Sequence, residues 1–144
     1  MIILNEGKLN LIKNLFAKED IALAYLHGSY ALNRETALSD LDIAVYFPFR
    51  SAYENLKREL HLESKIAKIL KFENVEVKNL ANSPILFKYK VVSKGKCIYC
   101  ADESFRVKFE EQVIIEYLDF KFVLDEQNYY LFRRIEEGTY GYRP

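Results

Sequence analysis

The run Ser39-Asp40-Leu41-Asp42-Ile43-Ala44-Val45 narrows the possible folds more than any other stretch of the chain. Two acids stand two residues apart at the head of an apolar run. In a strand, side chains alternate between faces, so Asp40 and Asp42 share one face while Leu41, Ile43 and Val45 pack on the other. Two ionised carboxylates side by side repel, and the pair is costly unless a cation lies between them or solvent screens them. Mg²⁺ suits that place, being a hard cation commonly held by one or two carboxylates together with substrate phosphates.

The segment before this run sharpens the reading. Residues 21–27, Ile-Ala-Leu-Ala-Tyr-Leu-His, form an apolar run suited to a buried strand, and Gly28-Ser29 breaks it. Glycine lets backbone approach a ligand closely. Backbone N–H groups at the start of a helical segment, together with the Ser29 hydroxyl, can grip phosphate oxygens. A third acid is expected from a neighbouring strand. In Asn74-Val75-Glu76-Val77-Lys78, alternation puts Glu76 on the polar face and the valines on the core face. Each part alone has a plain reading: a turn, a solvated acidic loop, an exposed strand residue. Together they are the minimum equipment for phosphoryl or nucleotidyl transfer, with Glu76 placed to activate an attacking hydroxyl.

The remaining pattern gives an α/β (α+β) domain with a small mixed sheet flanked by helices. Helical spacing of Leu9, Ile12 and Leu15-Phe16 predicts a helix over 6–18. Strands are predicted over 21–27, 41–47, 74–80 and 97–100. A long helix over 51–71 has Ser51 as N-cap and Leu56, Leu60, Ile66 and Ile69-Leu70 on its apolar side. Ser83 is read as the cap of a helix that begins with Pro84 and stops at Gly95. A helix over 103–123 carries Phe105, Phe109, Val113 and Tyr117 in register, and a separate last helix covers 126–137. The nucleotidyltransferase-like part is taken as 1–124, with 125–144 a C-terminal helix and aromatic tail of the same globular unit.

Lys+Arg and Asp+Glu each total 21, so no general basic footprint for nucleic acid is present. Lys65, Lys68 and Lys71 read as a solvated helix face. The N-terminus lacks a basic leader pattern and no stretch approaches the length of a membrane span, so a cytosolic chain is expected. Cys97 and Cys100 sit in a predicted strand that would point them to opposite faces, as ordinary thiols rather than a zinc or redox pair.

Gly28-Ser29-Tyr30-Ala31, then ten residues from Tyr30 to Ser39, then Asp40-Leu41-Asp42 resembles the signature of the DNA polymerase β-like nucleotidyltransferase superfamily. The small size, Lys94-Gly95-Lys96-Cys97-Ile98-Tyr99 and Glu116-Tyr117-Leu118-Asp119-Phe120 resemble its minimal nucleotidyltransferase branch. The resemblance covers about residues 20–120. It implies Mg²⁺ held by Asp40, Asp42 and a third acid aligned to Glu76, with ATP as nucleotide substrate at Gly28 and Ser29. It also implies an antitoxin that transfers AMP to a tyrosine of a HEPN-type ribonuclease toxin, its helical partner. Tyr129-Tyr130, Phe132, Tyr140 and Tyr142 are candidate interface aromatics. Three departures stand out: Leu32-Asn33 replaces the usual Arg-Gly, with Arg34 able to substitute for the arginine and Asn33 still able to take a left-handed backbone; Glu76 replaces the usual Asp; and Lys78, on the same face, can pair with Glu76. They keep open a purely binding antitoxin module. A small-molecule acceptor is the other alternative, and a nucleic-acid substrate is not expected.

Overall fold

A computed structural model describes residues 4–36 and 38–138. Helix α1 (Glu6–Lys18) starts at Asn5, whose side chain accepts the Lys8 N–H, and it buries Ile12, Leu15 and Phe16. Strands β1 (Leu23–His27) and β2 (Leu41–Tyr46) follow, then α2 (Ala52–Leu70), β3 (Val75–Asn79), a short 3₁₀ turn, α3 (Ile85–Lys94), β4 (Lys96–Cys100) and α4 (Glu103–Glu136). Ser51 caps α2 as its position suggests.

The sheet order is β3-β2-β1-β4. β1 pairs antiparallel with β2 and β4, while β2 and β3 run parallel. The expected mixed sheet is present, and α2 supplies the crossover that a parallel pair needs. Helices cover both faces. Ala24, Leu26, Leu41, Ile43, Val45 and Val77 pack with α1 and α2. Leu23, Tyr25, Ala44 and Leu80 pack with Val91 of α3 and Phe109 and Val113 of α4. The buried Tyr25 hydroxyl donates to Glu110 Oε1 (2.6 Å), fastening α4 to the central strand.

Four local expectations are corrected. Leu56 and Leu60 are exposed, and the face of α2 turned to the sheet carries Asn55 and Glu59 instead. These polar residues are buried because their bonds are made. Asn79 Nδ2 donates to Asn55 Oδ1 (2.7 Å) and to the Phe47 carbonyl (3.0 Å). Asn55 Nδ2 donates to Glu59 Oε1 (3.0 Å), and the Asn79 N–H donates to Glu59 Oε2 (2.8 Å). With the Val77 N–H bonded to Glu63 Oε1 (2.9 Å), two carboxylates of α2 occupy the open edge of β3. The cap of α3 is Pro84, not Ser83, whose hydroxyl donates to the Asn79 carbonyl (2.7 Å).

The predicted break between two last helices is absent: α4 runs unbroken from Glu103 to Glu136. Val123-Leu124-Asp125 has no glycine, proline or capping geometry to stop a helix. Cys97 and Cys100 lie on the same face, beside the α3/α4 cluster, because the β1–β4 pairing carries a bulge between Ala24 and Tyr25 that inverts the alternation. Among the described residues no helix is long and apolar enough to cross a membrane. Tyr140 and Tyr142 lie outside the described residues.

The buried amide network yields a contrast. Asn79→Ala strands the Phe47 backbone and the Asn55 side chain, while Glu59 keeps the N–H of residue 79, and is expected to cost about 2–3 kcal/mol. Leu56→Ala, on the exposed face, is expected to stay within about 0.5 kcal/mol of wild type. Urea denaturation of both variants measures the difference.

Candidate functional site

Cross-strand register brings three side chains into one row. His27 of β1 stands opposite Asp42 of β2, and Asp42 stands opposite Glu76 of β3. Directly opposed residues share a face. Here it is the face that α3 and α4 cover further along at Tyr25, Ala44 and Tyr46. The row lies at the end of that apolar cluster, where the covering helices give way and polar side chains meet solvent. Asp42 and His27 are half-buried, and Glu76 and Asp40 are exposed.

The Gly28-Ser29 turn wraps the end of this row. Gly28 has φ +71°, and a β-carbon there would collide with Asp42 Oδ2. Glycine is therefore required twice, for the backbone angle and for the approach to the carboxylate. The turn tightens through Leu32 N–H to the Gly28 carbonyl (3.3 Å) and Arg34 N–H to the Ser29 carbonyl (2.8 Å). Tyr30 and Ala31 are buried and anchor it. Asn33 has φ +54°, so it takes the left-handed backbone expected of the glycine it replaces. Ser39, beside Asp40, accepts the Thr36 N–H (2.8 Å) and so fixes the loop leading into β2.

Electrostatics mark Asp42 as the focus. Its carboxyl is pushed up to about 6, first by burial, then by the charge and hydrogen-bonding of Glu76, with Asp40 adding to the effect. Lys90 of α3 opposes that rise. His27 is lowered by burial, with Lys90 adding to the lowering and Glu76 opposing it. Its ring meets Phe87 edge-on at 5.3 Å, which sets α3 beside the row. Lys78 Nζ lies 3.7 Å from Glu76 Oε1.

Asp42, Glu76, Gly28 and Ser29 thus meet at one end of the sheet. Asp40 stands one strand position further out, within electrostatic reach of Asp42. Among the described residues no three acids, histidines or cysteines are gathered closely enough to hold a metal by themselves. Two carboxylates, one with a raised pKa, are a donor set that suits a hard cation whose other ligands would come from substrate or water. Sequence reasoning passed over His27 and Lys90 here. His27 carries a signal, as the last strand residue before Gly28. Lys90 carries none, since only the packing of α3 brings it near.

The sequence pattern of the polymerase beta nucleotidyltransferase family matches residues 10–104. No curated protein sequence matches the chain. Solved structures share its fold. One is a toxin–antitoxin complex with AMP-PNP, with TM-score 0.66 and 23% identity over 85% of this chain and 98% of that one. Another is a mutant MntA–HpeT toxin–antitoxin, with TM-score 0.65 and 22% identity over 85% and 98%. A third is an MNT antitoxin in complex with a tri-AMPylated HEPN toxin from Shewanella oneidensis, with TM-score 0.57 and 22% identity over 82% and 97%.

The raised Asp42 pKa has a direct consequence for stability. The carboxyl holds its proton more tightly in the folded chain than at its ordinary value of 3.8, so its contribution favours folding at low pH and is lost as pH rises through about 6. In metal-free buffer, Asp42→Asn is expected to match wild type near pH 4 and to exceed it at pH 7.5. The gain should be about 1 kcal/mol, discounted for solvent access, and thermal unfolding across that range measures it.

Proposed function

Because the chain belongs to the polymerase beta nucleotidyltransferase family, we propose that it transfers AMP from ATP to a tyrosine of a HEPN-type ribonuclease toxin and acts as that toxin's antitoxin. The observation that carries this reading is the opposition of Asp42 and Glu76 beside the Gly28 turn. The fold relatives include an antitoxin complex with AMP-PNP and one with an AMPylated HEPN toxin, which supports the nucleotide and the acceptor class.

In this reading Asp42 and Glu76, with Asp40 beside them, would hold Mg²⁺ together with substrate oxygens and water, and the cation would neutralise triphosphate charge. Backbone N–H groups of the Gly28-Ser29 turn and the Ser29 hydroxyl bind phosphate oxygens. Lys90 supplies a positive charge from α3, where Leu32 leaves the turn without the family's arginine. The acceptor hydroxyl oxygen bonds to the α-phosphorus, the bond from that phosphorus to the pyrophosphate leaving group breaks, and Glu76 takes the hydroxyl proton. Neutral His27, packed on Phe87, forms the wall behind Asp42.

Incubation with α-labelled ATP, Mg²⁺ and a HEPN-type toxin encoded beside this chain tests the proposal. Label is expected on a toxin tyrosine, falling at least about 100-fold in Asp40→Asn, Asp42→Asn and Glu76→Gln. Toxin neutralised without label, or label that persists in Asp42→Asn, would overturn it in favour of a binding module. Lys90→Gln is expected to raise KM for ATP about tenfold, the loss of one charge-assisted contact, with a smaller change in kcat. Steady-state kinetics at varied ATP separates the two.

A further inference from the structure

The second half of α4 stands apart from the domain. Tyr117 stacks on Tyr89 of α3 at 3.6 Å, and from Leu118 to Glu136 every residue is exposed. That stem is about 28 Å long, and free helices of this length are marginal in water without a packing partner. Yet it is rich in large apolar side chains, most of which fall into two stripes on different sides, with Val123 and Tyr130 between them. Phe120, Leu124, Leu131 and Ile135 form one, and Leu118, Phe122, Tyr129 and Phe132 form the other.

The first stripe is self-complementary. A two-fold axis placed between Gln127 and Asn128, with the helices antiparallel, sets Phe120 against Ile135 of the copy and Leu124 against Leu131 of the copy. Apolar positions then meet apolar positions throughout, and the centre is a pair of neutral amides that can hydrogen-bond to each other. Isologous pairing requires this kind of symmetry in the pattern. The second stripe fails the same test, because its centre holds Asp125 beside Glu126, so a copy laid on it would oppose acid with acid.

We propose that the chain self-associates through the Phe120/Leu124/Leu131/Ile135 stripe of α4, forming an antiparallel two-helix contact with a second copy. Stable interfaces begin near about 1,200 Å² of total buried surface. Two stems with one apolar stripe each make a small contact, so the pairing is expected to be reversible and to depend on concentration.

Sedimentation equilibrium of the full chain alone, without nucleotide or partner, tests this. At about 100 μM the expected mass is twice the 17.0 kDa of one chain, falling toward the single-chain value on dilution. Leu124→Glu with Leu131→Glu is expected to leave a monomer. Phe122→Glu with Tyr129→Glu, on the other stripe and equally burdened with charge, is expected to remain dimeric, which separates loss of the contact from loss of the helix. In a background with Cys97→Ser and Cys100→Ser, a mixture of Leu124→Cys chains and Leu131→Cys chains is expected to cross-link as a mixed pair under mild oxidation. A wild-type monomer at all concentrations would overturn the proposal, as would a dimer that survives the 124/131 changes. Association of a monomeric chain only with a helical toxin would also overturn it, by assigning the stripe to that partner.

Discussion

Two carboxylates held against each other are the constraint to which the rest of the domain answers. Asp42 and Glu76 occupy opposed positions in a parallel strand pair, where their mutual repulsion works against the pairing that brings them together. Several features keep β3 in place despite that. Its outer N–H groups at Val77 and Asn79 are taken by Glu63 and Glu59 of α2, so the edge strand is bonded on both sides. Val77 is fully buried under the α1/α2 layer. Lys78 and Lys90 lower the local negative potential from two directions. Such a site is strained in the electrostatic sense while its backbone stays well bonded, which is how a fold keeps a cation-seeking cluster preorganised.

The same architecture explains which parts of the molecule were readable in the sequence. Period-two alternation predicts β2 and β3 and the face each acid takes, because side-chain direction in a strand follows from the chain alone. The turn was readable as well, down to the left-handed Asn33, since steric limits on φ are local. The orientation of α2 was not. Its leucines at 56 and 60 look like core residues, but Asn55 and Glu59 are buried because they find partners in the side chain and backbone N–H of Asn79, far along the chain. The Cys97/Cys100 geometry failed for a related reason: one bulge, set by how β4 meets β1, reverses a parity that the strand by itself would keep. Lys90 belongs with these. A lysine on a helix surface is the commonest thing a sequence can show, and only the Phe87–His27 contact reveals what it faces.

Leu32 and Lys90 bear on each other through these placements. Backbone shape and charge are separable requirements of a phosphate-binding turn. The shape survives here, since Gly28 keeps its positive φ and Asn33 supplies the second left-handed residue without glycine. The charge is absent at position 32, where Leu32 is exposed and apolar, and Arg34 is the cation the turn itself retains. A cation acting on the same volume can come from any element packed beside it, and α3 lies beside the row. Its Phe87 rests on His27, while Lys90, one helical turn on, acts electrostatically on both His27 and Asp42. In the proposed site, drawing charge from a lysine of a neighbouring helix changes the demand on the fold. The cation's position then depends on the α3–β1 packing, in which a β-carbon on Gly95 would collide with the Val91 carbonyl and crowd that of Leu26. Gly28 shapes the turn itself, and Gly95, away from that turn, governs how closely the charged helix can approach the strand that bears His27.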